Sequence, residues 1–352
     1  MTRSVLQEYG FDEKMVQVKP FGSGLINHTW KVLYGAEEYI LQKINNAVFT
    51  EPDAIAHNLL LIDDYLRQHY PEYLFVAPVS TPAGTTIIYK KESGYYRLFP
   101  FVAGSHSKDV AETPAQAYEA AAQFGRFTSR LSGLDVNQLR ITIPFFHDLP
   151  LRYSQFLFAI ENGNRDRIKE SDTLIKKLAS HSGIVTKYNR IRENPAFKKR
   201  VTHHDTKINN VLFDKNDKGI CIIDLDTVMP GYFISDVGDM MRTYLCPVSE
   251  EESDINKIEV REDFYQAIVE GYYSEMEGEL SAEEVDCFFY AGTFMIYMQA
   301  LRFLTDYLNN DQYYGAKYPQ HNLVRAGNQA TLLERLLDKE SLLHAYSKSF
   351  VK

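Results

Sequence analysis

The chain is poor in the features that mark several large classes of protein. It carries 3 cysteines in 352 residues. Cys221, Cys246 and Cys287 are odd in number, far apart and without metal-ligand spacing. That excludes a disulfide scaffold or zinc module and leads us to expect a reduced, cytoplasmic compartment. There is no basic excess: 38 Lys and Arg face 47 Asp and Glu, for a net charge of −9. The electrostatic footprint of a nucleic-acid binder is therefore missing. The opening MTRSVLQEYGFDEK lacks the apolar run of a signal peptide. Residues 287–304 approach membrane-spanning length, but Gln299 and Arg302 interrupt them and acidic residues lie close on both sides. A buried helix is expected there, with no membrane partner. No Walker A sequence occurs, which excludes a P-loop nucleotide site. The tetrapeptide KINN recurs at 43–46 and 207–210 without matching flanks, so there is no internal repeat.

What is present is an ordinary globular composition, 45% apolar and 24% charged, on a chain long enough for two lobes. The first hundred residues read as strand-rich. Asn27–Tyr34 and Glu38–Ile44 flank a tight turn, and Phe75–Ser80, Thr85–Lys90 and Tyr95–Phe101 follow. A helix over Pro52–Arg67 is inserted between the two sets, with apolar residues at Ile55, Leu59, Ile62 and Leu66. This predicts a five-stranded antiparallel sheet. After Gly104 the pattern turns helical, at 114–133, 151–162, 165–181, 261–278, 282–309 and 324–338. A short β-rich island at 201–226 interrupts it. The expected division is an N-terminal nucleotide-binding lobe, 1–101, and a C-terminal catalytic and substrate-binding lobe, 102–352.

The island VTHHDTKINNVLFDKNDKGICIIDLDT, 201–227, carries the chemistry. Val211–Phe213 and Ile220–Ile223 read as two strands around a turn-rich 214–219. An antiparallel hairpin brings its open ends together. Asn210 at its entry and Asp224 at its exit could thus share one small cation despite lying 14 residues apart. Two oxygen ligands beside a loop suit Mg²⁺, which takes the rest of its shell from water and nucleotide phosphates. Asp205, in the preceding loop, is placed to orient a substrate hydroxyl and accept its proton. Lys207 could lie against the transferring phosphate. These are the parts that phosphoryl transfer from ATP requires.

Taken jointly, His203, Asp205, Lys207, Asn210 and Asp224 resemble the catalytic loop and metal aspartate of the protein-kinase-like fold. His203-x-Asp205 with Asn210, Ile223-Asp224 and Ser235–Asp239 is more specifically similar to the aminoglycoside phosphotransferase and choline kinase superfamily. THHDTKINNVL, FGSGLINHTW, YILQKIN and ALRFLTDYLNND resemble its bacterial N-acetylhexosamine 1-kinases. The resemblance implies an α+β, two-lobed fold with a β-rich N-lobe and a mostly helical C-lobe. It implies that Asp236 braces the catalytic loop. It makes Gly22 and Gly24 a glycine loop over ATP phosphates, and Phe99 and Phe101 part of an adenine-stacking hinge. A cation is also expected on the strand YILQKI. Lys43 is the choice over Gln42, which alternation puts on the opposite face. The partner helix lacks the usual glutamate, leaving His57, Asn58 or Glu51 as substitutes. His28, Arg302 and Tyr313 would line the acceptor site, although Arg302 has a structural alternative in an ion pair with Asp306 one turn away.

The expected function is an ATP- and Mg²⁺-dependent kinase for a small molecule, with a hexose or N-acetylhexosamine phosphorylated on its anomeric hydroxyl. Two alternatives stand beside it. One is a kinase for choline, homoserine or an aminoglycoside, whose amines the acidic run Glu250-Glu251-Glu252-Ser253-Asp254 would attract. The other is an inactive nucleotide-binding module of the same fold. A protein kinase is excluded by the missing A-P-E segment.

Overall fold

The computed structural model describes residues 2–350 apart from 23–26. The N-terminal part forms α1 (Thr2–Glu8), β1 (Val16–Pro20), β2 (His28–Tyr34), β3 (Glu37–Lys43), α2 (Pro52–His69), β4 (Ile88–Lys90) and β5 (Gly94–Pro100). Helices α3 (Pro114–Arg130), α4 (Leu149–Asn162), α5 (Arg165–Glu170), α6 (Asp172–Ser180) and α7 (Gly183–Glu193) follow. Four short strands come next: β6 (Arg200–Thr202), β7 (Val211–Phe213), β8 (Gly219–Ile222) and β9 (Met229–Gly231). The chain closes with α8 (Phe233–Tyr244), α9 (Glu262–Met276), α10 (Ala282–Val285), α11 (Phe288–Leu308), α12 (His321–Leu337) and α13 (Glu340–Lys348). They sort into two compact units. The first comprises Met1–Ser107, Arg130–Pro144 and Asn210–Pro230; the second comprises Lys108–Ser129, Phe145–Asn209 and Gly231–Lys352.

The first unit is built on a five-stranded antiparallel sheet in the order β1-β2-β3-β5-β4. Five strands were expected, but the membership differs. Val16–Pro20 is the edge strand that the sequence reading lacked. Phe75–Ser80 is not a strand: Pro78 has no N–H to give a ladder, and Val79 makes the bond from there to the sheet, donating to the Leu98 carbonyl at 2.7 Å. One sheet face carries Val32, Leu41, Tyr96 and Leu98, which pack with Val5 and Leu6 of α1 and with Tyr9 just after it into a buried core. Alternation sends Lys31, Gln42, Arg97 and Phe99 to the other face.

The second unit is helical around α11. Of its 21 residues, all but Arg302 and Thr305 are buried, so the apolar run at 287–304 is a core helix, as expected. No helix among the described residues is long and apolar enough to cross a membrane. Glycines let α8 approach α11 closely. A Cβ on Gly238 would collide with the Ala291 carbonyl, and one on Gly292 would come within 2.8 Å of the Met241 sulfur. This packing explains why FISDVGDMMRTY is helical despite its glycine and aspartates, which weaken helix propensity. It also turns the polar side of α8 toward the loop that follows β6.

Candidate active site

In the second unit, α8 holds the loop after β6 at several points. The fully buried Asp236 accepts the His203 N–H at 3.0 Å and the His204 N–H at 2.7 Å. Asp239 accepts the Thr206 N–H at 2.9 Å, the Thr206 hydroxyl donates to the Asp236 carbonyl at 2.8 Å, and the Tyr244 hydroxyl donates to the Thr206 carbonyl at 2.5 Å. His204 adopts φ 67°, in the left-handed region, and its ring lies where a side chain on Gly231 would be. The clamp therefore fixes both neighbours of Asp205, and with them its direction.

Asp205 and Lys207 are brought together, with Lys207 Nζ 3.0 Å from Asp205 Oδ1. Burial opposes ionisation of Asp205, but the charges of Lys207 and His203, with Arg242 behind them, outweigh it and hold its carboxyl below the usual range. Asp205 in turn holds the Lys207 ammonium above its ordinary value. A carboxylate kept ionised and fixed in direction, with a cation beside it, can accept a hydroxyl proton while positive charge faces the phosphoryl group.

In the first unit, β7 and β8 pair antiparallel with Val211 opposite Ile222. The Ile223 N–H donates to the Asn210 carbonyl at 2.8 Å. Asn210 is therefore buried at the open end of the hairpin, and Asp224 follows directly on the returning strand, exposed and at φ 58°. An amide oxygen and a carboxylate at one hairpin end are hard oxygen donors and fit a magnesium ion.

The sheet face bearing Arg97 differs from expectation. Lys43 lies on the opposite face, beside Leu41 and across from Tyr96. The strand's phase is fixed by Leu41 entering the α1 core, which sends Gln42 the other way. Gln42 Oε1 receives Arg97 Nε at 3.1 Å and Nη2 at 2.8 Å. Arg97 is buried and ion-paired with Asp226, which also accepts from Asn27 at 2.9 Å. The counter-charge of the buried cation thus comes from the segment after Asp224 rather than from α2. The three candidates on or beside α2 have other roles. Asn58 bonds the Arg140 and Val228 carbonyls and the Arg140 N–H, His57 bonds the Gln138 carbonyl, and Glu51 is the exposed cap residue. Arg97 and Asp226 were missed in the sequence. The available signal was a lone arginine in an apolar strand.

On the same face Phe99 lies 5.0 Å from the Arg97 guanidinium, and Phe101 carries the Lys31 ammonium 3.7 Å above its ring. Gly22 takes φ 76° and is exposed. Gly24 lies outside the described residues. His28 is exposed and sits on the face of Trp30, their rings 6.3 Å apart.

In the second unit, Arg302 and Tyr313 are brought together, with Arg302 Nη2 3.4 Å from the Tyr313 hydroxyl. They line a cleft of about 890 Å³ with Arg152, Phe158, Asp306 and Tyr314. Asp306 is not the partner of Arg302. One of its oxygens accepts the Tyr313 N–H at 2.7 Å, and the other accepts the Tyr314 N–H at 2.9 Å and the Asn322 amide at 3.1 Å. Arg302 bonds Gln299 at 3.3 Å and has no carboxylate partner among the described residues. Burial and the neighbouring Arg302 charge lower the pKa of Arg152. The cleft is therefore cationic and aromatic.

An antiparallel sheet in one unit, a helical second unit and this loop–hairpin arrangement define a kinase-like fold. The model of the phosphotransferase enzyme family matches residues 17–277, about three quarters of the chain, and the chain belongs to that family. Solved structures agree on the fold. Amicoumacin kinase hAmiN, in complex with AMP-PNP, Ca²⁺ and Ami, is 14% identical with a TM-score of 0.63, covering 95% of this chain and 92% of that one. Spectinomycin phosphotransferase with ADP and spectinomycin is 15% identical (TM-score 0.59; 97% and 98% covered). Choline kinase from Cryptosporidium parvum Iowa II is 13% identical (TM-score 0.58; 97% of each chain covered).

Proposed function

We propose that the protein is an ATP-dependent small-molecule kinase whose acceptor is a neutral sugar, a hexose or N-acetylhexosamine phosphorylated on its anomeric hydroxyl. The observation that carries the kinase reading is the Asp205–Lys207 pair on a loop clamped by Asp236 and Asp239. Asp205 orients the hydroxyl and takes its proton, and Lys207 moves from Asp205 toward the phosphoryl oxygens as negative charge builds there. Asn210 and Asp224 would hold a magnesium ion, which supplies charge neutralisation at the β- and γ-phosphate oxygens. Gly22, Phe99 and Phe101 would receive the nucleotide. Arg302 and Tyr313 would receive the acceptor.

The neutral acceptor is supported by the lining of the cleft. Its carboxylate, Asp306, is committed to Tyr313, Tyr314 and Asn322, while Arg152 and Arg302 both face it. Amine acceptors such as choline or an aminoglycoside, the classes of compound named for similar structures, would meet like charge there. The acidic run does not offset this. Glu250, Glu251 and Glu252 are each paired within the protein, to Arg242 and Arg325, to Lys317, and to Lys257. A sugar offers hydroxyls to Arg302 and Tyr313 and an apolar ring face to the aromatics. The test is incubation with Mg²⁺–ATP and free hexoses against their methyl glycosides. Phosphate transfer to the free sugars alone is expected. Transfer to the methyl glycosides, or to an aminoglycoside but no free sugar, removes the anomeric reading.

A further inference from the structure

The acidic run around Glu250 has an internal use. Glu250 lies in the segment after α8, and one of its oxygens receives Arg242 Nη1 at 2.8 Å. Arg242 also grips Asp239 with Nε and Nη2, at 3.0 and 2.9 Å. The other oxygen of Asp239 holds the Thr206 N–H, immediately after Asp205. In the opposite direction Glu250 is bound by Arg325 of α12, whose Nη1 donates to the Asn322 side chain at 3.2 Å. The Asn322 amide donates to Asp306 at 3.1 Å, to Asp311 at 2.9 Å and to the Gly315 carbonyl at 2.9 Å. Asp306 fixes the Tyr313 and Tyr314 N–H groups. The run Tyr313–Asp306–Asn322–Arg325–Glu250–Arg242–Asp239–Thr206 is continuous, and every link lies within the second unit.

We propose that Glu250 is a positioning residue that couples the tyrosine wall of the cleft to the loop carrying Asp205. This rests on the kinase reading above and adds to it a means by which an acceptor seated against Tyr313 sets the direction of the base. Three features support it. Among the described residues Glu250 is the carboxylate that bridges Arg242 and Arg325, which would otherwise repel, so it is the link whose neutralisation separates the two halves of the run. Burial opposes its ionisation, but Arg242 and Arg325 outweigh that and keep it charged. Its own segment is pinned to α12 by Asn328, which donates to the Ser249 and Glu252 carbonyls at 3.1 Å each, so the link cannot drift. Movement at Tyr313 is transmitted because each member is held at both ends, and Thr206 has no slack to absorb it.

The experiment compares wild type, Glu250→Gln, Asn322→Ala and the double variant, with N-acetylglucosamine and glucose as acceptor probes and calorimetry for Mg²⁺–ATP. Glu250→Gln should lower kcat about tenfold while ATP affinity and a stoichiometry of one per chain are retained. The double variant should lose no more kcat than the worse single variant, because both cut one run. If Asn322→Ala does not fold, Arg325→Lys replaces it, since lysine cannot hold Glu250 and Asn322 at once. The proposal is overturned if Glu250→Gln keeps kcat within twofold of wild type. It is overturned equally if ATP stoichiometry falls in step with kcat, which would mark a merely structural role, or if the Glu250 and Asn322 losses multiply. A wild-type protein that phosphorylates neither probe but transfers phosphate to another acceptor overturns the sugar assignment instead, and the same variants are then compared on that acceptor.

Discussion

The buried pair of Arg97 and Asp226 offers the strongest stability test. Both side chains are 2% exposed, so neither charge is solvated. Replacing Asp226 with Asn leaves the guanidinium with the amide oxygen of Gln42 but no counter-charge. Removing one partner of such a pair costs about 3–5 kcal/mol, against a total stability of about 5–15 kcal/mol for a typical domain. Arg97→Met strands the carboxylate instead and should cost a similar amount. The double variant removes both charges, so its loss should fall well short of the sum. Urea unfolding of the four proteins, closed as a double-mutant cycle, should give a coupling energy of about 2–4 kcal/mol. Additive losses, agreeing within about 0.5 kcal/mol, would refute the claim that Asp226 rather than α2 supplies the counter-charge on this sheet face.

Asp224→Ala should abolish Mg²⁺-dependent ATP binding in calorimetry while leaving the thermal midpoint nearly unchanged, because Asp224 is exposed; wild-type affinity in that variant would remove the hairpin metal site. Burial pushes the Asp236 carboxyl up to about 7, opposed by the N–H groups of His203 and His204 and aided by the nearby charges of Asp239 and Asp205. Its folded pKa lies above the unfolded 3.8, so its contribution is fully present below about pH 4 and is lost as pH rises to about 7. Asp236→Asn, which does not titrate, should therefore gain stability relative to wild type over that window, and a difference flat in pH would contradict the assignment. Asn58→Ala should lower the unfolding free energy by about 2–3 kcal/mol, since it leaves three backbone groups without their side-chain partner; a change under about 0.5 kcal/mol would mean that water replaces those bonds at no cost.

What could be read in the sequence follows the range of the forces involved. The loop and hairpin at 201–227 were legible because their logic is local. Turn residues close the hairpin, and its geometry alone puts Asn210 beside the end of the returning strand, just before Asp224. The core helix at 288–308 was legible from its long apolar run, interrupted only by a few polar residues. Gln42 and Lys43 were not separable, because the phase of β3 is set by the packing of Leu41 against α1 and not by the strand itself. The clamp helix α8 was missed because its helicity depends on Gly238 fitting against Ala291, a contact some fifty residues away in sequence. Asp306 had the right spacing to pair with Arg302 on one helix face. Two backbone N–H groups from beyond the helix end claim its oxygens first, and no periodicity reports such a loop. The acidic run looked available to an amine acceptor because its partners, Arg242, Lys257, Lys317 and Arg325, are spread over more than eighty residues of sequence.

The most direct test of the account is turnover by Asp205→Asn. With Mg²⁺–ATP and a panel of free hexoses, wild type should consume ATP and release a sugar phosphate. The variant keeps the shape of the side chain but cannot accept the hydroxyl proton, and it loses the charge that holds Lys207. Turnover should fall by about 10²-fold or more, with calorimetric ATP affinity within about twofold of wild type. Near wild-type turnover in this variant would contradict the assignment of Asp205 as the base on which the proposed function stands.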